Sequence, residues 1–169
     1  MFSLRFDPRA IEFWASRFPD GPTALRIMNE IAPRTRARGY LDKADFLTIC
    51  EWNSTRPRKL YRANAPDFVR EITRAAFATK HERVRIEVLM LLKGVSMATA
   101  SVLLHFCSTD PYPILDVNSL WSLQAAPPRK YDFDFWWQYV QVTRKLAKQA
   151  RVDMRTLDRA LWQYAQENQ

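Results

Sequence analysis

Apolar residues recur every three or four positions along nearly the whole 169-residue chain, and no stretch shows the period-two alternation of a strand. That feature confines the fold to helices packed on helices. From Pro8, "PRAIEFWASRF" places Ile11, Trp14, Ala15 and Phe18 on one face, and "PDGP" at 19–22 ends it. A second helix is expected from Thr23, and a third over 42–53 with Phe46, Ile49 and Cys50 inward. The polar, breaker-rich "STRPRKLYRAN" that follows reads as a loop. Pro66 opens a helix whose expected stripe is Phe68, Ile72, Ala75 and Ala76. Thr79 and Glu82 form an expected capping box for "ERVRIEVLMLL", with Val84, Val88 and Leu91 on one face. Ser96 then caps "MATASVLLHFC", whose core stripe is Ala100, Leu103, Leu104 and Cys107. Pro111 and Pro113 force an extended path to Asp116, which caps "VNSLWSL". Two longer helices follow the break at "PPRK". One turns Trp136, Val140, Thr143 and Ala147 inward; the other, capped by Asp153, turns Leu157, Leu161 and Tyr164 inward. The expectation is an all-α domain of about eight or nine helices.

Composition narrows the chemistry. Two cysteines, Cys50 and Cys107, are too few for a disulfide framework, a four-cysteine zinc site or an iron–sulfur cluster. Carboxylates show no metal-ligand spacing, so neither a metal site nor a metal-dependent nuclease is expected. No apolar run reaches the length of a membrane span, and "MFSLRFDPRA" lacks the apolar segment of a signal peptide; a cytoplasmic protein without a membrane partner is expected. Twenty-six Lys and Arg against 18 Asp and Glu leave a net charge of +8. Such a balance favours a polyanion through counterion release, or serves only solubility.

One of only three glycines, Gly94, interrupts "LLKGVSMATASVLL" between two apolar helices. Glycine there permits a left-handed backbone and close approach of another surface. The helix starting after Ser96 presents unpaired N–H groups at the positive end of its dipole, a site for a phosphate. An ordinary corner between two helices, with glycine ending the first, is the other reading.

With this hairpin, Leu92-Lys93-Gly94-Val95-Ser96-Met97-Ala98-Thr99-Ala100, the apolar helix after it, and Ile114-Leu115-Asp116-Val117-Asn118, the chain resembles the helix-hairpin-helix DNA glycosylase superfamily. That group contains endonuclease III and the 3-methyladenine and 8-oxoguanine glycosylases. Eighteen residues separate Ala98, at the family's lysine position, from Asp116, matching the family's lysine-to-aspartate spacing. The resemblance covers residues 84–121. It implies one compact domain of two lobes, a hairpin lobe over about 40–112 and a second from 1–39 with 113–169, with Asp116 facing a cleft. It implies double-stranded DNA as partner, gripped largely through its backbone.

The resemblance makes Asp116 the catalytic carboxylate, stabilising positive charge on the sugar as the N-glycosidic bond breaks. Without the family's lysine, Ala98 cannot form a Schiff base, so base release without strand cleavage is implied. DNA contacts are expected from Lys93, Gly94, Val95, Ser96, Ala98 and Thr99, and from the basic segment at Arg56, Arg58 and Lys59. A flipped base needs a stacking pocket, for which Trp52, Asn118, Trp121 and Trp136 are candidates. No cofactor or iron–sulfur cluster is implied, and the hairpin carbonyls could hold a monovalent cation. Lys93 replaces the family's hairpin proline, Ser96 its second glycine, and Asn118 a common histidine. A non-catalytic DNA-binding or protein-interaction module on the same fold is the alternative.

Overall fold

The computed structural model describes residues 2–169 and is all-helical, with no strand among them. Among these residues no helix is long and apolar enough to cross a membrane. The chain divides into two compact units, Asp20–Asp110 and the segment up to Pro19 with Pro111–Gln169. Residues 20–39, which the sequence assigns to the terminal lobe, therefore belong with the middle of the chain.

In the middle unit, α2 (Pro22–Arg26) runs through a π-helical segment, Ile27–Ile31, into α3 (Ala32–Arg38). The wide turn has a local cause: Pro33 has no N–H to give the preceding turn, and Ala32 N–H instead reaches Ile27. Then come α4 (Lys43–Asn53), α5 (Arg58–Arg62), α6 (Pro66–Ala78), α7 (Glu82–Leu89) and α8 (Met97–Cys107). Most of α8 is buried, as its apolar composition on every side demands, and it packs on α3, α4 and α7. Phe46, Ile49 and Cys50 of α4 lie in the core as expected, as do Ala100, Leu103, Leu104 and Cys107 of α8.

Four expectations fail here. The "STRPRKLYRAN" stretch contains the helix α5, nucleated by Pro57 and anchored by Tyr61, whose ring is fully buried. On α6 the buried stripe is Val69, Ile72, Thr73 and Ala76, while Phe68 is 43% exposed and Ala75 also faces out. Thr73 turns inward because its hydroxyl accepts Leu41 N–H at 2.9 Å while donating to Val69 O at 2.8 Å. On α7 the inward residues are Arg85, Ile86 and Leu89, and Val84 and Leu91 are exposed. Arg85 is buried because its guanidinium closes the end of α6, donating to the carbonyls of Ala76 and Thr79. The α7 cap is His81 and not a Thr79–Glu82 box.

The terminal unit has a 3₁₀ turn at Pro8–Ala10, α1 (Ile11–Ser16), α9 (Val117–Ser122), α10 (Phe133–Ala150) and α11 (Met154–Asn168). The last of these packs on α1, α9 and α10. Asp116, Asp132 and Asp153 each cap a helix through their side chains. Trp136, Val140, Thr143, Ala147, Leu157 and Leu161 are buried as their spacing requires.

Candidate functional site

Two places hold the residues that carry chemistry, one in each unit. In the middle unit, α7 unwinds through three successive tight turns, from Met90 N–H to Glu87 O, Leu91 to Val88 and Leu92 to Leu89. Gly94 then takes a left-handed conformation, φ +85°, and Val95 N–H closes on Leu92 O at 3.1 Å. Ser96 caps α8, its hydroxyl accepting Thr99 N–H at 3.3 Å. Leu92 and Val95 are buried anchors, whereas Lys93 and Ser96 face solvent and Gly94 and Ala98 are half-buried.

Sterics and an amide clamp hold this turn. A Cβ on Gly94 would sit 2.9 Å from Tyr61 Cδ1 and 3.0 Å from Leu60 Cβ, so α5 leaves no room for a side chain there. Asn64, itself buried, accepts Lys93 N–H at 2.8 Å and donates to Lys93 O at 3.0 Å, pairing with that residue as a neighbouring strand would. Lys93 O and Leu92 O, two of the carbonyls a monovalent cation would use, thus already accept hydrogen bonds within the chain.

The arrangement brings the basic α5 segment against the turn, joining two groups of residues that the sequence only placed in order. Lys59 and Arg56 are exposed, while Arg58 and Arg62 share the carboxylate of Glu51 at 3.1 and 3.2 Å. Thr99 differs from expectation: its side chain points inward, 3.5 Å from the Tyr61 hydroxyl, and Val95 is buried likewise, so neither side chain is presented to a ligand.

In the terminal unit the extended segment after Pro111 delivers Asp116 to the head of α9. Arg144 Nε donates to Pro111 O at 2.8 Å, and Tyr112 stacks on Trp136 with ring centroids 5.8 Å apart. The Ile114 N–H donates to Asp158 Oδ1 at 3.2 Å, and its C=O accepts the Tyr139 hydroxyl at 2.8 Å. Asp116 Oδ1 accepts the N–H groups of Asn118 and Ser119 at 2.8 and 3.0 Å, and Oδ2 accepts the Ser119 hydroxyl at 2.6 Å.

Burial pushes the Asp116 carboxyl up to about 6, and the negative charge of Asp158 adds to the rise, against the three donors that favour the anion. Burial also pushes Asp158 up to about 6, opposed by Arg155 and the Ile114 amide. Tyr131 and Tyr139 are raised by burial and by the charge on Asp116, which marks them as its neighbours. The result is a fixed carboxylate with more than ordinary proton affinity, suited to taking a proton from water or to facing a developing cation.

The aromatic candidates scatter. Trp52 lies in the middle unit, edge-on to Phe106 at 5.3 Å and beside a cavity of about 340 Å³ that also includes Glu51 and Arg58. Trp121 is in the Asp116 unit, but the Arg5 guanidinium covers its ring at 4.3 Å. Trp136 cannot stack on a base: it is fully buried against Tyr112, Phe133 and Trp137, a core residue as its helical spacing implies. Asn118, half-buried, follows Asp116 on the first turn of α9.

Sequence reasoning missed Asp158, Ser119 and Asn64 as parts of these places. For Asp158 the signal was present: an acid four residues after Met154 and three before Leu161 lies on the apolar stripe of α11, where a charge needs a reason. No protein-family model matches the chain, and neither a curated protein nor a solved structure matches it.

Proposed function

We propose that the protein is a monofunctional DNA glycosylase that uses the α7–α8 turn as a helix-hairpin-helix grip on the DNA backbone and Asp116 as its catalytic carboxylate. The observation that carries this reading is the Asp116 site itself. Its carboxylate is held by three donors and partly enclosed, eighteen residues beyond Ala98, which follows a left-handed glycine turn with Lys93 and Ser96 exposed.

In the proposed reaction the C1′–N bond breaks and its electron pair leaves with the base, which takes a proton from solvent. The positive charge that builds on the sugar faces the Asp116 carboxylate. Water adds to C1′ and gives its proton to Asp116, which passes it to solvent, leaving an abasic site in an intact strand. Ala98 offers no amine for a Schiff base, so strand cleavage does not follow.

The test is base release from a panel of duplexes, each carrying one damaged or modified base, scored as alkali-labile sites. Wild-type protein should act on at least one, and Asp116→Asn should lose at least about a thousandfold of that rate while folding normally. No release from any duplex would overturn the catalytic reading. The replacement of the hairpin's second glycine by Ser96 favours one alternative, a non-catalytic DNA-binding module. Under it Asp116→Asn leaves DNA binding and function unchanged.

A further inference from the structure

Both backbone groups of Ile114 are taken by side chains from other helices: its N–H by Asp158 of α11 and its C=O by Tyr139 of α10. Asp158 and Tyr139 are 5% and 0% exposed. A carboxylate so buried is costly unless its lone pairs are filled, and Asp158 places its second oxygen on Arg155 Nη1 at 3.0 Å. An apolar residue would serve the packing of α11 as well as this ion pair does, so Asp158 needs a reason other than packing.

We infer that Asp158 and Tyr139 are positioning residues for Asp116: they fix the Ile114 peptide from both sides, which sets where the Asp116 carboxylate emerges two residues later. Asp158 also lends its charge. The groups facing Asp116 are Ser119 and the first amides of α9, Tyr139 of α10, Tyr131 before it and Asp158 of α11, with Arg155 and Arg159 acting on Asp158. The donors of α9 favour the Asp116 anion. Asp158 opposes it and makes Asp116 a stronger base. The consequence for catalysis rests on the glycosylase reading above, whereas the effect on the proton affinity of Asp116 can be read without any substrate.

The experiment follows the side-chain carboxyl carbon of Asp116 by NMR in the full-length protein as pH is varied, with Asp116→Asn supplying the assignment. Asp158→Asn keeps an oxygen for the Ile114 N–H and removes the charge together with the acceptor of Arg155 Nη1. It should lower the Asp116 midpoint by about one pH unit and move the acidic limb of kcat/KM down by the same amount. Tyr139→Phe removes the other grip and keeps both charges. It should reduce kcat about tenfold with KM unchanged. Should Asp158→Asn lack a cooperative thermal transition, Arg155→Gln keeps the buried carboxyl without its ion-pair partner, and the higher of the two aspartate midpoints should then rise. An unmoved Asp116 midpoint in folded Asp158→Asn, or an unmoved higher midpoint in Arg155→Gln, overturns the role given to Asp158. A tyrosine variant with wild-type kcat overturns that of Tyr139. If the NMR shift is present but wild-type protein releases no base from any duplex, the glycosylase reading falls and the electrostatic pairing stands.

Discussion

The α7–α8 turn and the Asp116 segment are both backbone paths that a free chain would rarely keep, and they are held by opposite means. At the turn the restraints are neutral: a missing side chain at Gly94, the ring of Tyr61, and the amide of Asn64. Burial raises the Tyr61 phenol further, so nothing named there changes charge near neutrality. At Asp116 the restraints are carboxylates, an arginine and a phenol. Steric restraint is indifferent to pH, whereas charge restraint varies with it. On the proposed function, a grip on a polyanion would use the first kind and a proton-transferring site the second.

Substitution at Gly94 breaks this contrast most sharply. Gly94→Ala should cost about 3 kcal/mol, because a left-handed alanine is strained and its Cβ also collides with α5. Gly39, the cap of α3, shares the backbone conformation at φ +80° but has nothing within 4 Å. Gly39→Ala should therefore cost only about 1 kcal/mol. Urea unfolding measures both, and equal losses would show that α5 is not what restrains the turn.

The charged site should leave its mark on stability as a function of pH. Asp116 and Asp158 keep their protons up to about 6 in the folded chain and only to about 4 when unfolded. Between those values the native state binds more protons, so unfolding free energy falls as pH rises from about 4 to about 7. The contribution, on the order of 5 kcal/mol for the pair, is complete below that window and gone above it. Thermal midpoints should fall across this range in wild type and flatten in Asp158→Asn. A midpoint that climbs from pH 5 to pH 8 would contradict the account.

Smaller effects sharpen the neutral side. Asn64→Ala should cost about 1–2 kcal/mol, equally at pH 5 and pH 8, since it strips two backbone partners from Lys93. Lys93→Ala and Lys59→Ala, both at exposed positions, should leave stability within about 0.5 kcal/mol. Each should make the plot of log binding constant against log salt for duplex DNA less steep by about one. An unchanged salt slope would remove that residue from the DNA contact.

Helical spacing was enough to place α8, α10 and α11, because their apolar faces answer to one large core each. It failed on α6 and α7, where single polar groups decide the rotation. Thr73 and Arg85 turn inward to satisfy backbone groups of other segments, which no spacing reports. The cap at Asp116 was legible because capping is local, read from the proline pair before it and the helix after it. Asp158, forty-two residues further on, was not, since only folding brings it to Ile114. Asn64 gave no signal at all: in a stretch such as "RANAP" an asparagine reads as turn chemistry, and its work on Lys93 is long-range.

The grip on Ile114 is a grip on its peptide groups, which every residue except proline supplies. Any apolar side chain that fits the space can therefore stand at 114 and still leave Asp116 where it is, while loss of the hydroxyl at 139 or of the acceptor oxygen at 158 releases it. For mutational drift, the segment that carries the Asp116 carboxylate is tolerant and the residues that hold it are not. A saturation library should find its intolerant positions on α10 and α11 as well as around Asp116.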